Sequence, residues 1–252
     1  MNDGPDTLKA RLGALWRRQL IMPSLLVAIC LALYGWIRSL HLDAIEQRSL
    51  NAPVIAHLLI QHVELTLAAA AMVVAVAVPL GVLLTRRIAR PLTAPIVNVA
   101  NVGQAVPSIG VLVLLAIVWG LGFWPAVCAF ALYSTLPVLR NTMVGLSQID
   151  PAIIEAGRGM GMSGPAVLTR IELPLAVPVM LAGIRTALVI LVGTATLATF
   201  VGAGGLGQLI VTGNNLGRTP VLITGGVLSA VLALLVDWLA GMAELLLRPR
   251  GL

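Results

Sequence analysis

The sequence predicts an all-α integral membrane protein with about six transmembrane helices. Of the 252 residues, 59% are hydrophobic and 10% are charged, whereas a soluble domain carries about 25% charged residues. Apolar runs of about 20 residues, the length that a helix needs to cross a bilayer, recur along the chain. These runs lack the alternation of polar and apolar residues that marks the strands of a membrane barrel. Composition therefore excludes a soluble domain, and the length of the runs favours helices.

Six apolar runs define the predicted spans in chain order. They cover residues 21–40, 64–84, 99–121, 125–146, 177–201 and 221–246. The third run is interrupted at Pro107 and Ser108, and the segment 89–102 could form a separate helix near the membrane interface. The connections 41–63 and 202–220 are too short to form a domain. Any domain that captures a soluble ligand must therefore belong to a different polypeptide.

The basic residues predict which ends of the spans face the cytoplasm. They concentrate in the N-terminal tail 1–20, in the links that follow the second and fourth spans, and in the C-terminal tail 247–252. Lys and Arg accumulate in the cytoplasmic loops of membrane proteins, and a count of six spans places all four segments on one side. We therefore expect both termini to be cytoplasmic, together with the segment 150–174 that follows the fourth span.

Charge and cysteine content argue against other classes of protein. The net charge of +6 comes from residues at the ends of the spans and not from one basic face, so nucleic-acid binding is not predicted. Cys30 and Cys128 lie in apolar runs, where cysteine behaves as a small buried hydrophobe and not as a disulfide or a metal ligand. Arg17 and Arg18 precede the first run, which predicts a retained span 21–40 and not a cleaved signal peptide.

The segment 150–174 has the pattern of two short helices joined by a turn. Asp150 followed by Pro151 is typical of a helix start, because aspartate caps the first N–H groups and proline fits the first helical position. Glycines then predict a turn, and residues 166–173 predict a second helix that Pro174 stops. A short exposed helix with glycines at its tip is suited to inserting into a groove on a partner protein.

The spacing of residues in this segment resembles the signature of the permease subunits of bacterial ABC importers. That signature opens with Glu-Ala-Ala, has a glycine after three further residues, and closes with Ile-x-Leu-Pro. The corresponding residues are Glu155, Ala156, Gly157, Gly161, Ile171, Leu173 and Pro174. Gly157 replaces the family's second alanine, a small-for-small change that lowers helix propensity. The resemblance implies that 150–174, hereafter the coupling segment, docks in a groove of an ATP-binding subunit and transmits its closure to the spans.

Further stretches are similar to the permeases of osmoprotectant importers, which carry glycine betaine, choline, carnitine and related quaternary amines. These stretches are 104–108, 132–142, 157–162 and 200–207. The resemblance covers about 57–213 and implies a permease membrane domain at 57–246 with the type I ABC importer fold. Permeases of methionine importers share a similar Pro-Ser stretch and glycine-rich segment, so an importer of methionine or another amino acid is the alternative.

The resemblance also implies the partners of the chain. Two ATP-binding subunits would hold the ATP, so the chain itself would be a pore-forming subunit that is not an enzyme and needs no cofactor. A substrate-binding protein would dock on the extracytoplasmic side, and a second copy or a similar permease would complete the pore. The implied location is the bacterial cell membrane, in contact with lipid and not with nucleic acid.

Two other classes of membrane protein remain open on the residues alone. An ion-coupled secondary carrier would explain the spans, with Arg185 and Asp237 as its coupling charges, because charges inside a membrane are costly and are usually paired or face a cavity. A purely structural membrane protein would explain the spans as well. Neither class explains the spacing from Glu155 to Pro174.

Three further features have competing interpretations. Gln104, Pro107 and Ser108 either form a bend that lines a translocation path or a kink packed between helices, because proline frees a carbonyl that must be satisfied. The glycines of 202–207 lack the Lys-Ser/Thr of a phosphate-binding loop, so they are expected to allow a turn or close packing. Arg140 either extends its charge to the membrane interface or contacts the coupling segment.

Overall fold

A computed structural model of the chain describes the backbone of residues 5–247 and the side chains of residues 20–247. The described residues form eleven α-helices and no β-strand, which confirms the all-α prediction. The helices are α1 (Pro5–Ser39), α2 (Ala44–Ser49), α3 (Ala52–Leu84), α4 (Arg90–Ala105), α5 (Ser108–Trp119), α6 (Phe123–Ser147), α7 (Pro151–Gly159), α8 (Gly164–Val167), α9 (Leu173–Ala195), α10 (Gly207–Asn215) and α11 (Thr219–Leu247). A π-helical turn, Leu168–Glu172, joins α8 to α9, and a 3-10 turn, Thr196–Val201, follows α9.

The helix α1 begins ahead of the predicted first span. Its backbone is helical from Pro5, so most of the predicted tail 1–20 continues the helix of the span. The structure does not describe the side chains of Arg17 and Arg18, which suggested a cytoplasmic anchor. Of the predicted tail 247–252 it describes only Leu247, the last residue of α11.

Five helical segments are long and apolar enough to cross a membrane. They are Leu20–Ser39, Ala52–Leu84, Phe123–Ser147, Gly164–Val201 and Thr219–Leu247. The helices α4 and α5 make a sixth span only when they are counted together, and they are bent by 96° at the break between them. The structure therefore supports five or six spans, in agreement with the predicted number.

The predicted third span, 99–121, is not a continuous helix. Val106 has φ −71° and ψ 135°, an extended conformation that ends α4. Proline disfavours the helical conformation in the residue before it, so Pro107 explains the break. The suggested separate helix over 89–102 corresponds to α4, which extends a few residues further.

The predicted connection 41–63 is largely helical, which corrects the sequence-based boundary of the second span. Asn51 caps α3, because its side-chain oxygen accepts a 2.9 Å hydrogen bond from the N–H of Val54. Asp43 caps α2 in the same way and also pairs with Arg218 at 2.9 Å, which ties α2 to the link before α11. Polar residues in the first turns of α3 hide this helix from a count of apolar runs.

The helix α6 lies at the centre of the bundle, between α3 and α9. Of the residues in its most apolar window, 56% are buried, the largest share among the five spans. Glycines bring the neighbouring helices close: a Cβ on Gly81 would lie 2.8 Å from the Cβ of Thr142, and a Cβ on Gly183 would lie 2.8 Å from the carbonyl oxygen of Pro137. Because protein interiors are close-packed and resist such overlap, α3, α6 and α9 form one tightly packed unit.

Candidate functional site

The coupling segment lies at one end of the bundle, between α6 and α9, and begins as the sequence predicts. The carboxylate of Asp150 accepts a 2.8 Å hydrogen bond from the N–H of Ala152, and Pro151 occupies the first position of α7. Aspartate at this position satisfies N–H groups that the helix leaves unpaired. The start of α7 is therefore fixed by the local sequence.

Gly161 ends α7 through a Schellman motif. The N–H of Gly161 donates to the carbonyl of Arg158 at 2.9 Å, and the N–H of Met162 donates to the carbonyl of Gly157 at 3.2 Å. This pair of bonds requires a left-handed residue directly after the helix, and Gly161 has φ +82°. The predicted turn is confirmed, and its glycine is explained by backbone geometry and not by crowding, since a Cβ on Gly161 would meet no atom within 4 Å.

The three signature residues that lie on α7 divide between its two faces. Glu155 and Ala156 are exposed, whereas Gly157 is buried. A Cβ on Gly157 would lie 2.6 Å from the Cδ1 of Ile171 and 3.6 Å from the Cγ2 of Val167. The structure thus brings Gly157 and Ile171 together as an intramolecular contact, and it leaves Glu155 and Ala156 facing away from the chain.

Pro174 does not stop the second short helix, which corrects the sequence prediction. The N–H of Leu173 donates to the carbonyl of Leu168, five residues earlier, and the chain continues directly into α9. A π-turn is wider than an α-turn and occurs as a local insertion within α-helices. Pro174 stands in the first turn of α9, directly after this π-turn. The coupling segment is therefore continuous with the fifth predicted span.

An ion pair links the coupling segment to the end of α3. Arg86 donates from both terminal guanidinium nitrogens to Glu172, at 3.2 Å to Oε1 and 2.5 Å to Oε2. Its Nε also donates to the carbonyl of Val82 at 3.3 Å. Glu172 is only 5% exposed, and the sequence alone did not identify this pair.

A cavity of about 920 Å³ opens beside this ion pair. Its wall includes the link between α3 and α4, the end of α6, and two residues of α7. Four arginines and one carboxylate line it: Arg86, Arg87, Arg90, Arg158 and Glu172. The coupling segment therefore borders a positively charged recess and not a closed core.

The glycine loop, 202–207, forms the opposite end of the same bundle. A Cβ on Gly204 would lie 2.2 Å from the Oε1 of Gln61, and a Cβ on Gly207 would lie 1.8 Å from the carbonyl oxygen of Thr196. The loop is therefore pressed against α3 and against the 3-10 turn, which agrees with the prediction of close packing. The helix α10 follows it and occupies part of the predicted connection 202–220.

His62 is a buried polar residue that the sequence did not single out. The N–H of Leu206 donates to its Nδ1 at 3.3 Å, so the ring proton is on Nε2, which donates to the carbonyl of Val192 at 3.0 Å. That carbonyl is available because the N–H of Thr196 bonds to Gly193 where the 3-10 turn begins. His62 lay inside a predicted connection, so no pattern in the sequence marked it as a bridge between α3 and α9.

The remaining candidate residues lie apart from α7. Pro107 is exposed at the break between α4 and α5, with Gln104 and Ser108 half-buried on either side. Arg140 donates to the Oδ1 of Asn101 in α4 at 2.7 Å. Its partner is therefore α4 and not the coupling segment.

Arg185 and Asp237 meet in a bidentate ion pair between α9 and α11. The Nε and Nη2 of Arg185 each lie 2.6 Å from a carboxylate oxygen of Asp237, and Glu244 lies 3.8 Å away. The partnership that the sequence suggested is therefore present. Pairing and additional hydrogen bonds are what allow charges within a membrane bundle.

The fold and the site define a bundle of membrane-spanning helices that presents a short, capped helix with exposed polar residues at one end. The chain belongs to the family of binding-protein-dependent transport system inner membrane components, which matches residues 77–248. It is therefore a multi-span inner membrane component of a transporter.

Several relatives are osmoprotectant permeases, as the sequence resemblance indicated. Choline transport system permease protein OpuBB of Bacillus subtilis is 41% identical over 192 residues, which cover 76% of this chain and 88% of the relative. Carnitine transport permease protein OpuCD of Listeria monocytogenes is 43% identical over 175 residues, or 69% and 78% of the two chains. Osmoprotectant import permease protein OsmW of Salmonella typhimurium is 37% identical over 216 residues, or 84% and 100%.

Solved structures of ABC importers share the fold. The inward-facing methionine ABC transporter MetNI superposes with a TM-score of 0.71 at 23% identity, covering 79% of this chain and 100% of the matched chain. An amino acid ABC transporter solved with histidines gives a TM-score of 0.64 at 20% identity, covering 81% and 99%. Identities this low establish the fold and not the solute. The predicted type I ABC importer permease fold is confirmed.

Proposed function

We propose that the chain is the pore-forming permease subunit of an ATP-driven importer of osmoprotectant quaternary amines, such as glycine betaine, choline or carnitine. Relatives whose names specify choline, carnitine or osmoprotectants are 37–43% identical to it. The methionine transporter is only 23% identical, which supports a shared fold and gives the amino-acid alternative less weight.

The observation that carries the coupling role is the division of α7 into an inner and an outer face. Gly157 and Ile171 hold the helix against the chain, and Gly161 fixes its end. Glu155 and Ala156 are left exposed. Through this outer face α7 inserts into a groove of an ATP-binding subunit.

The tight packing around α6 supports the transmission of movement from the coupling segment to α6 and α9. The coupling segment leaves α6 and enters α9 through the π-turn Leu168–Glu172, so Leu173 and Pro174 begin α9. Gly145 and Gly183 bring α6 and α9 close, with hypothetical Cβ atoms 3.1 Å and 2.8 Å from backbone carbonyl oxygens. Closure of two ATP-binding subunits would therefore move α6 and α9 together with α7.

The rest of the assembly follows from this role. A second copy or a similar permease completes the pore, and a substrate-binding protein docks at the end that carries the glycine loop. Both termini and the coupling segment are cytoplasmic. ATP is bound by the partner subunits, so this subunit has no cofactor of its own. Gln104, Pro107 and Ser108 are candidates for the translocation path, since the break beside them exposes backbone where only protein or water can satisfy it.

Reconstituted transport tests the function. The chain, assembled with its ATP-binding subunits and binding protein in liposomes, is expected to accumulate radiolabelled choline, carnitine or glycine betaine only when ATP is inside. Labelled methionine in the same vesicles is the comparison solute. Uptake of methionine without uptake of any quaternary amine would overturn the proposed substrate class.

The same vesicles distinguish an importer from an ion-coupled carrier. An ABC importer is expected to keep transporting when proton and sodium gradients are collapsed and to stop when ATP is removed. In the structure Arg185 forms an ion pair with Asp237, so the ion-gradient measurement also tests whether this pair acts as coupling charges. Uptake that follows the ion gradient and ignores ATP would refute the importer.

The Schellman turn provides a residue-level test of the coupling segment. Gly161→Ala is expected to destabilise the turn by about 1–2 kcal/mol, because a left-handed conformation is unfavourable for residues with a Cβ. Fewer solute molecules should then be transported per ATP hydrolysed, and hydrogen exchange in α7 should accelerate. Gly159→Ala is the matched control, since Gly159 is helical and its Cβ would meet no atom within 4 Å. Equal behaviour of the two variants would count against this role of Gly161.

A further inference from the structure

The ion pair between Arg86 and Glu172 joins two parts of the molecule that are distant in the chain. Arg86 lies two residues after the end of α3, and Glu172 is the last residue of the π-turn, through which the coupling segment enters α9. The two residues are separated by 86 positions. Both terminal nitrogens of the guanidinium meet both oxygens of the carboxylate, a fork geometry that fixes orientation as well as distance.

The pair has a distinct place in the connectivity of the bundle. The coupling segment is joined covalently to α6 and α9, but it reaches α3 and α4 at this end only through non-covalent contacts. Among the ion pairs of the described residues, Arg86–Glu172 alone joins the link between α3 and α4 to the coupling segment. It is thus a direct electrostatic tie from that segment to the second predicted span.

Burial makes this tie resistant to separation. The side chain of Glu172 is 6% exposed, and that of Arg86 is 36% exposed. A carboxylate removed from water and left without its partner is strongly unfavourable. The third contact of Arg86, from its Nε to the carbonyl of Val82, anchors the guanidinium to the last turn of α3. Movement of Glu172 should therefore pull on α3.

Glu172 is the last residue of the π-turn and is buried. The bond from the N–H of Leu173 to the carbonyl of Leu168 spans five residues, so this turn contains one residue more than an α-helical turn. An extra residue rotates everything that precedes it relative to α9. Glu172 meets Arg86 and is buried, while Arg170 and Thr169 in the same turn remain exposed.

We propose that Arg86 and Glu172 are a positioning pair that transmits the displacement of the coupling segment to α3 and α4. This inference rests on the proposed role of α7 as the docking site for an ATP-binding subunit. Two routes then leave α7: a covalent route into α6 and α9, and an electrostatic route through Glu172 into α3. Loss of the second route should leave ATP hydrolysis running while α3 and α4 no longer follow it.

A charge exchange tests the pair. In the reconstituted complex, Arg86→Glu and Glu172→Arg are each expected to lower the amount of solute transported per ATP at least tenfold. The double variant, in which the charges are exchanged, is expected to recover that ratio to within about threefold. Arg87→Gln is the matched control, because Arg87 is the next residue, is exposed, and has no ion pair with any residue that the structure describes. A double variant as defective as the singles, or hydrolysis and uptake that fall in parallel, would overturn the inference.

Neutral variants keep the test decisive if a reversed charge prevents assembly. Arg86→Gln and Glu172→Gln are then measured alone and together. If the residues act as one link, the double variant should be no worse than the more defective single variant, whereas independent residues would give additive losses. Additive losses would also overturn the inference.

Glu155→Lys separates this inference from the proposed function. Loss of transport in Glu155→Lys together with additive behaviour of Arg86 and Glu172 would reject only the positioning pair. Normal transport in Glu155→Lys would reject the docking role of α7, and with it the basis of this inference.

Discussion

Gly207→Ala is expected to destabilise the folded chain by about 3 kcal/mol, at the upper end of the cost of overpacking. The added Cβ would lie 1.8 Å from the carbonyl oxygen of Thr196 and 2.6 Å from its carbonyl carbon. Both are backbone atoms, so no side-chain rotation can relieve the overlap. The change should lower the melting temperature of the purified chain in detergent and reduce the fraction recovered as folded protein.

Gly226→Ala is the control for this prediction. Gly226 lies within α11, and a Cβ there would meet no atom within 4 Å. Alanine is favoured over glycine in the interior of a helix by about 0.5–1 kcal/mol, so this variant should be as stable as the parent or slightly more so. Melting temperatures that are the same for both variants would show that the glycine loop is not pressed against the 3-10 turn.

Glu155→Lys is expected to reduce ATP-driven uptake at least tenfold without changing the stability of the chain. Glu155 is exposed on α7, and the described part of the chain offers it no ion pair or hydrogen bond. Reversing its charge should therefore act only through a partner, where disruption of a hydrogen-bonded charge pair costs about 2–5 kcal/mol. Co-purification with the ATP-binding subunit measures the contact with the partner. Uptake assays measure transport, and the melting temperature measures the stability of the chain.

Two variants make the result specific to position 155. Glu155→Gln removes the charge without reversing it and should give a smaller defect. Gln148→Lys adds a positive charge to an exposed residue at the same end of the bundle but outside the coupling segment, and it should transport normally if the effect depends on α7. Full uptake by Glu155→Lys would show that α7 is not the surface that meets the ATP-binding subunit.

The sequence predicted features that depend on local patterns. Apolar runs gave the number of spans, and Asp150 with Pro151 gave the start of α7. Gly161 was predicted to form a turn because left-handed backbone selects glycine wherever it occurs in a chain. Each of these signals involves residues within a few positions of one another, so the sequence alone suffices.

The features that sequence analysis missed depend on contacts across the bundle. Residue spacing gives no sign that Arg86 meets Glu172 or that His62 meets Val192, since these partners are 86 and 130 positions apart. Apolar runs indicate which segments tolerate lipid and not where a helix begins, so they predict a connection where the structure has the first turns of α3. Pro174 was misjudged because its effect on the helix depends on the π-turn before it.

The bridge at His62 has a consequence for the biosynthesis of the chain. The ring of His62 in α3 donates a hydrogen bond to the carbonyl of Val192 in the last α-helical turn of α9. The same ring accepts a hydrogen bond from the N–H of Leu206. A ribosome delivers the chain from its N-terminus, so His62 is in place before either of its partners emerges. The end of α9 and the glycine loop therefore form their hydrogen bonds to a side chain that has already been synthesised.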